Sequence, residues 1–402
     1  MAGTGVAGYS GDGGLATSAR FNRTAGIAVD ASGNIYVSDT YYHVIRKITK
    51  STGIITTVAG TGRRSRRGRG YYTGDGGLAT NATFDSPRSI AFDASGNIYV
   101  ADTWNGVIRK ITKSTGIITT VAGTGMIYYN LDGGLITEDS FSLPCDVALD
   151  SSGNIYYPEM YYNVIQKITK STGIITTVTT VAGTLRRYNN ETASYTGDGG
   201  LATKATLNGP RSIALDASGN IYVADTDNYV IRKITKSTGI ITTVAGTGNS
   251  SNTGDGGLAT SATIGLCFGI ALDASGNIFI TDFSFNVIRK ITKSTGIITT
   301  VAGTGVHGSM YNGGPTSPNL NGPYYIAIFD QTAYFTDRDS HQVRSFSTLS
   351  TSTNQPTNDD SRDSRDSGYG GYGKSSAISN YMSVGLYNPV WWISASLLLL
   401  MW

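Results

Sequence analysis

The sequence predicts an all-β ring, a six-bladed β-propeller of four-stranded antiparallel blades closed by the N-terminal strand in the last blade. Three observations carry that prediction: a motif recurs six times, each unit reads as four short strands, and the strand missing from the last unit stands at the start of the chain. The stretch Asp-Ala-Ser-Gly-Asn-Ile-Tyr begins at Asp30, Asp93 and Asp216, with near copies at Asp150 and Asp273 and a decayed one at Asp330. The steps are 63, 57, 66, 57 and 57 residues. A second marker, Gly-Asp-Gly-Gly-Leu-Ala-Thr, starts at Gly11, Gly74, Gly197 and Gly254, with degenerate versions at Leu131 and Tyr311. A fixed period of this size marks units that bury their faces only against neighbours. The longer steps come from insertions at 63–73 and about 185–196 and a short duplication at 178–180.

In the second unit, Ser89-Ile90-Ala91-Phe92 is a first apolar run, followed by an Asp-Ala-Ser-Gly turn whose residue types supply turn chemistry. Ile98-Tyr99-Val100-Ala101 is a second, aromatic and β-branched run. After Asp102-Thr103-Trp104-Asn105-Gly106 comes Val107-Ile108-Arg109-Lys110-Ile111-Thr112. The turn Lys113-Ser114-Thr115-Gly116 leads to Ile117-Ile118-Thr119-Thr120-Val121. Strands joined by such short turns pair antiparallel. The first two are apolar on both faces, which requires a sheet packed on each side, as radial blades provide and a sandwich does not.

Units one to five end in Thr-Val-Ala-Gly-Thr, whereas the sixth has Ala333-Tyr334-Phe335-Thr336 and Val343-Arg344-Ser345-Phe346 and then turns polar. Its fourth strand appears as Met1-Ala2-Gly3-Thr4-Gly5, so the N-terminus is expected to pair into the last blade and leave no open edge. Composition agrees. Glycine supplies 52 of 402 residues, charged residues 15% and cysteine 2. That excludes a disulfide scaffold and argues against a helical bundle, while 39% apolar content with a net charge of +3 excludes outright disorder. The charge alone implies no polyanion partner.

The pattern resembles the NHL-repeat β-propellers, in particular the teneurin-type NHL domains. The residues that carry the resemblance are Ile27-Ala28-Val29-Asp30, Gly33-Asn34-Ile35-Tyr36-Val37-Ser38-Asp39 and Val44-Ile45-Arg46-Lys47-Ile48, repeated through residues 1–350, together with the Gly-Asp-Gly-Gly leader. The resemblance implies the fold and a binding role.

Catalysis needs convergent groups that break the symmetry of the ring. Lyases with this fold use histidine-ligated zinc with tyrosine and arginine. The chain has three histidines, His43, His307 and His341. His43 and His341 hold equivalent positions in neighbouring units, too far apart to share an ion with ligands about 2 Å away. No unit shows the carboxylate cluster of lactonase-type propellers. Cys145 and Cys267 read as small core residues. Asp39, Asp102, Asp225, Asp282 and Asp337, with Glu159 in the third unit, read as structural acceptors at strand ends. Each Gly-Asp-Gly-Gly loop offers one carboxylate, too few for a calcium cage. No enzyme activity, cofactor or metal is expected.

The units disagree most in the loop between strands two and three. Tyr41, Tyr42 and His43 stand there in the first unit, Trp104 and Asn105 in the second, Tyr161 and Tyr162 in the third, Asp227 and Asn228 in the fourth, Phe285 in the fifth and His341 in the sixth. Aromatic-rich loops on a rigid frame suit ligand recognition. The inserted arm, with Arg63, Arg64, Arg66, Arg67 and Arg69, adds a site for an anionic polymer.

Past residue 350 the chain reads as a disordered Ser/Gly/Asp-rich linker, 351–389, and a hydrophobic tail, 390–402. Thirteen residues are too few to span a bilayer. Small residues around Ser375, a spacer and a terminal apolar run fit a glycosylphosphatidylinositol (GPI) anchor signal. Sequons at Asn22, Asn81, Asn190 and Asn249 fit a glycoprotein. Against this, Met1 runs straight into a repeat strand with no signal peptide. Either a first segment is missing or the protein is cytoplasmic. The leading expectation is a monomeric cell-surface module recognising a protein or glycan and attached to the membrane through its tail. The alternatives are an intracellular scaffold or RNA-binding propeller, then a metal-dependent lyase or lactonase.

Overall fold

Every blade begins with a strand that enters next to the central axis, and what fixes its length is the Asp-Ala-Ser-Gly-Asn turn. In the computed structural model, described over residues 1–62, 72–125, 141–171, 174–185, 195–306 and 319–349, Asp30 Oδ1 accepts the backbone N–H groups of Ser32 and Asn34, both at 2.9 Å. Asn34 Oδ1 in turn accepts the N–H of Lys50, 3.0 Å away in the next hairpin. One side chain therefore ties the first turn to the third. Gly33 is required between them: its φ is +81°, and a Cβ there would meet Lys50 Cδ at 2.5 Å. Asp93, Asp150, Asp216 and Asp273 repeat the bonds. In the last unit the motif has decayed, and a tight turn with Asp330 and Gln331 at φ +44° and +60° replaces it.

Blade two shows the resulting sheet: Pro87–Phe92, Ile98–Asp102, Val107–Ile111 and Ile118–Ala122, paired antiparallel in that order. Blades one, four and five follow the same plan. Blade three differs in its outer hairpin, Val164–Ser171 with Ile174–Ala182, where the duplicated residues are absorbed by extra length and a bulge between Thr169 and Lys170. The molecule is an all-β, six-bladed β-propeller, with short 3-10 turns as its helical elements. The core lies between blades. Ile45 and Ala59 of blade one, for example, pack with Phe84, Ile90 and Val100 of blade two.

Blade six contains three strands, Pro323–Phe329, Thr332–Asp337 and Gln342–Ser347. The N-terminus completes it, although as a single bridge rather than a full strand. Ala2 and Val343 exchange both backbone hydrogen bonds at 3.0 Å. Gly3 and Thr4 then donate to the carbonyls of Ala16 and Ala19. Gly60 and Thr61 make the same contacts to Ala79 and Ala82 at the first blade junction. The expected closure is present.

The leader Gly-Asp-Gly-Gly is held by a buried guanidinium from the third strand. Arg46, which is fully buried, donates Nε and Nη2 to Asp12 Oδ1 and caps the carbonyls of Arg20 and Ser10. Asp12 Oδ2 accepts the N–H of Thr57 on the outer strand. Arg109, Arg232 and Arg289 hold Asp75, Asp198 and Asp255 with bonds of 2.6–2.7 Å. The leader aspartates thus have a structural partner each, which accounts for their recurrence.

Replacing Asp198 by Ala removes the shorter carboxylate contact of the buried Arg232 guanidinium and leaves it with Asp225, 3.5 Å away. Asp198 keeps 43% of its side chain in solvent, so the expected loss is about 2 kcal/mol, below the range for a wholly buried pair. Urea unfolding of the full chain measures it, and an unchanged midpoint would contradict the clamp.

Candidate functional site

The loop between the second and third strands is built alike in every blade, and its chemistry starts with a buried acid. Asp39, Asp102, Asp225, Asp282 and Asp337, and Glu159 in blade three, each accept a backbone N–H from the turn that precedes the inner strand. Burial pushes Asp39, Asp102 and Asp225 up to about 7, Glu159 to about 7 and Asp282 to about 6, against the lowering effect of those N–H groups. These acids serve structure, as the sequence indicated. After the acid the chain turns, then takes a left-handed residue: His43, Gly106, Asn163, Tyr229, Asn286 or His341.

That geometry corrects several expectations. Asn105 and Asn228 are buried and donate Nδ2 to Asp102 and Asp225, because a short amide next to the capping acid completes its hydrogen bonding. His43 and His341 turn sideways. Their Nδ1 atoms accept the N–H of Ser86 and Arg23, the left-handed residue at the entry of the neighbouring blade. Asn163 and Asn286 make the same staple to Gly209 and Gly322. Asn105 and Asn228 are thus buried in the scaffold, while His43 and His341 remain half-buried and join neighbouring blades through Nδ1.

The aromatic members do reach the surface. Tyr41 is exposed, set edge-on to half-buried Tyr42, which in turn contacts Tyr9 at 5.4 Å. Tyr161 and Tyr162 form a second edge-to-face pair at 5.1 Å. Trp104 is half-buried over Leu143, Cys145 and Met160. Asp227 and Phe285 are half-buried, with Phe285 beside Gly265. Asn81 and Asn249 are exposed, whereas Asn22 is half-buried and Thr24 of its triplet is fully buried. The arm with Arg63, Arg64, Arg66, Arg67 and Arg69, together with Asn190, Ser375 and residues 351–402, lies outside the described residues.

The same end of the ring holds a feature the loops did not announce. Where the chain enters each inner strand beside the axis, the equivalent positions are Ala25, Arg88, Cys145, Arg211, Phe268 and Tyr324. Arg88 Nη1 approaches Cys145 Sγ at 3.8 Å. The Arg211 guanidinium lies 4.9 Å from the Phe268 ring, Phe268 stacks on Tyr324 at 4.7 Å, and Arg338 stands 5.1 Å from Tyr324. One residue deeper, Asp146 accepts the hydroxyls of Ser89 and Ser212 from the blades on either side. Tyr325 reaches across the axis and donates its hydroxyl to the Cys145 carbonyl at 2.8 Å. The signal was in the sequence: Pro87-Arg88-Ser89 and Pro210-Arg211-Ser212 match each other while Cys145, Phe268 and Tyr324 depart. Comparing inner strands as well as loops finds it.

The six units can now be set beside known proteins. The family model described as Teneurin NHL domain matches residues 6–68, 57–130 and 179–253. The chain belongs to the NHL-repeat propellers of the teneurin type. This NHL propeller is 27% identical to Teneurin-1 of Mus musculus over 288 residues, which is 65% of this chain and 10% of that relative. It is also 27% identical to NHL repeat-containing protein 2 of Bos taurus over 345 residues, 79% of this chain and 45% of the relative. The chain thus spans about a tenth of the length of the teneurin it matches. A solved protein of unknown function from Bacteroides thetaiotaomicron shares the fold with a TM-score of 0.58 at 18% identity, covering 84% of this chain and 72% of that one. At that identity the likeness is of fold alone.

The raised acids give a pH dependence with a definite sign. They keep their protons in the folded chain up to about pH 6–7 but release them near 4 when unfolded, so the folded state binds more protons in between. Stability is expected to fall as pH rises from about 4 to about 7. Asp225→Asn, which keeps an acceptor for the Asn208 N–H, is expected to flatten that slope in urea titrations at several pH values. An unaltered slope would assign the titration elsewhere.

Proposed function

We propose that the NHL propeller is a non-enzymatic recognition module, displayed at the cell surface, that binds a protein or glycan with the end of the ring carrying the loops between second and third strands. One observation carries the reading. The blades share backbone and core, and their exposed side-chain differences gather at that end, where aromatic pairs stand on turns of fixed geometry. Rigid aromatic side chains contribute contact area at small entropic loss.

The chemistry of the other candidate groups supports binding over catalysis. Burial pushes the thiols of Cys145 and Cys267 up, the opposite of what a nucleophile needs. His43 and His341 each spend Nδ1 on the neighbouring blade. Among the described residues no group of three or more His, Cys, Asp or Glu side chains is placed to hold a metal. Attachment to the membrane rests on the sequence of 390–402, with Ser375 as the proposed anchor residue.

Arrays of cell-surface glycans and ectodomains, probed with the full chain, test the module. The double replacement Tyr41→Ser, Tyr161→Ser is expected to weaken the captured interaction at least ten-fold, and Lys113→Met at the opposite end to leave it unchanged. Equal loss from both would refute a single recognition face. Release from native cells by a phosphatidylinositol-cleaving phospholipase is the expected result for the anchor; retention in the cytosol would discard it.

A further inference from the structure

Three arginines at the axial mouth have no structural employment comparable to that of the strand-three arginines. Arg46, Arg109, Arg232 and Arg289 are each paired with a leader aspartate. Among the described residues, Arg88, Arg211 and Arg338 form no ion pair with a carboxylate. Arg211 is only 8% exposed, and its Nε has no hydrogen-bond partner. A buried guanidinium N–H left open is costly unless something completes it. Asp146, an acid of the same ring, is already committed to Ser89, Ser212 and the N–H groups of Val147 and Ile213. Burial lowers the Arg338 pKa, and the positive charges of Arg23 and Arg88 act in the same direction against Tyr324 and Asp339. The mouth therefore gathers three guanidinium groups that, among the described residues, form no ion pair.

We infer that the axial mouth bounded by Arg88, Arg211 and Arg338 is a binding subsite for the carboxylate of a terminal acidic sugar. The inference rests on the recognition reading above and names the ligand class for its centre. Guanidinium forks match the two oxygens of a carboxylate. Half-buried Phe283, set edge-on to the buried stack of Phe268 and Tyr324, offers an apolar surface for the carbon side of a pyranose. The floor decides for a terminus over an internal segment. Tyr325 crosses the axis to the carbonyls of Cys145 and Arg211, so a chain cannot thread through.

Calorimetry of the full chain with glucuronic acid, glucose and inorganic sulfate separates the outcomes. Glucuronic acid is expected to bind and glucose not to. Arg88→Met and Arg211→Met should each weaken glucuronic acid at least ten-fold, while Lys113→Met binds as the parent. Arg88 is the more exposed of the two and keeps the test informative if Arg211→Met fails to fold, as read by its unfolding midpoint. Equal binding of glucose, sulfate binding with no glucuronic acid binding, or a folded Arg88→Met variant that binds as the parent would each overturn the inference. Array capture that depends on Tyr41 and Tyr161 but not on Arg88 would do so too while leaving the recognition face standing. Loss of all capture without loss of glucuronic acid binding would overturn the face and spare the subsite.

Discussion

The arrangement depends on a guanidinium buried in the third strand of the blades. A fully desolvated charge is tolerable only with near-complete hydrogen bonding, and Arg46 obtains it from three groups: Asp12 and the Ser10 carbonyl at the leader, and the Arg20 carbonyl beyond it. The leader must therefore lie along the outer strand, and the chain must enter the next blade from a fixed height. Because Asp12 also takes the Thr57 N–H, the clamp covers an edge that would otherwise be open. Blade three has Gln166 at the arginine's place, where its Oε1 accepts the Thr180 hydroxyl, and its outer hairpin is also the irregular one.

Fold and closure were legible because they are written in residues with a single local meaning. Asp-Ala-Ser-Gly-Asn bonds within its own turn and to the third turn of the blade, and five copies in register leave few alternatives. The decay at Asp330 was visible as well, and the left-handed pair at 330–331 explains how the turn survives without the motif. The one-residue contact at Ala2 is shorter than the strand expected, since the bonds of Gly3 and Thr4 go to the leader rather than to the third strand.

The site was less legible for a physical reason. Variation in a loop looks the same in sequence whether a side chain faces solvent or a neighbouring blade. His43 and Asn163 vary between units yet do one job, accepting an N–H from the next blade. Asn105 looks like loop decoration and is the partner of a buried acid. Arg88 and Arg211 sit in strands, where periodicity predicts core, and only the ring brings them to one axis. Their contacts span 57 or more positions in the chain, beyond any local pattern.

Asp146 and Tyr325 carry one more implication. Five of the six units share nearly the same strands, so a growing chain has little to tell it which sheet should settle beside which. A carboxylate that requires a serine on each flank, Ser89 before it and Ser212 after it, works as an address label. Its lock is completed from the far side of the circle by a tyrosine hydroxyl. Assembly order in a nearly uniform polymer can thus be encoded by a handful of side chains at the hub, leaving the outer parts free to stay alike.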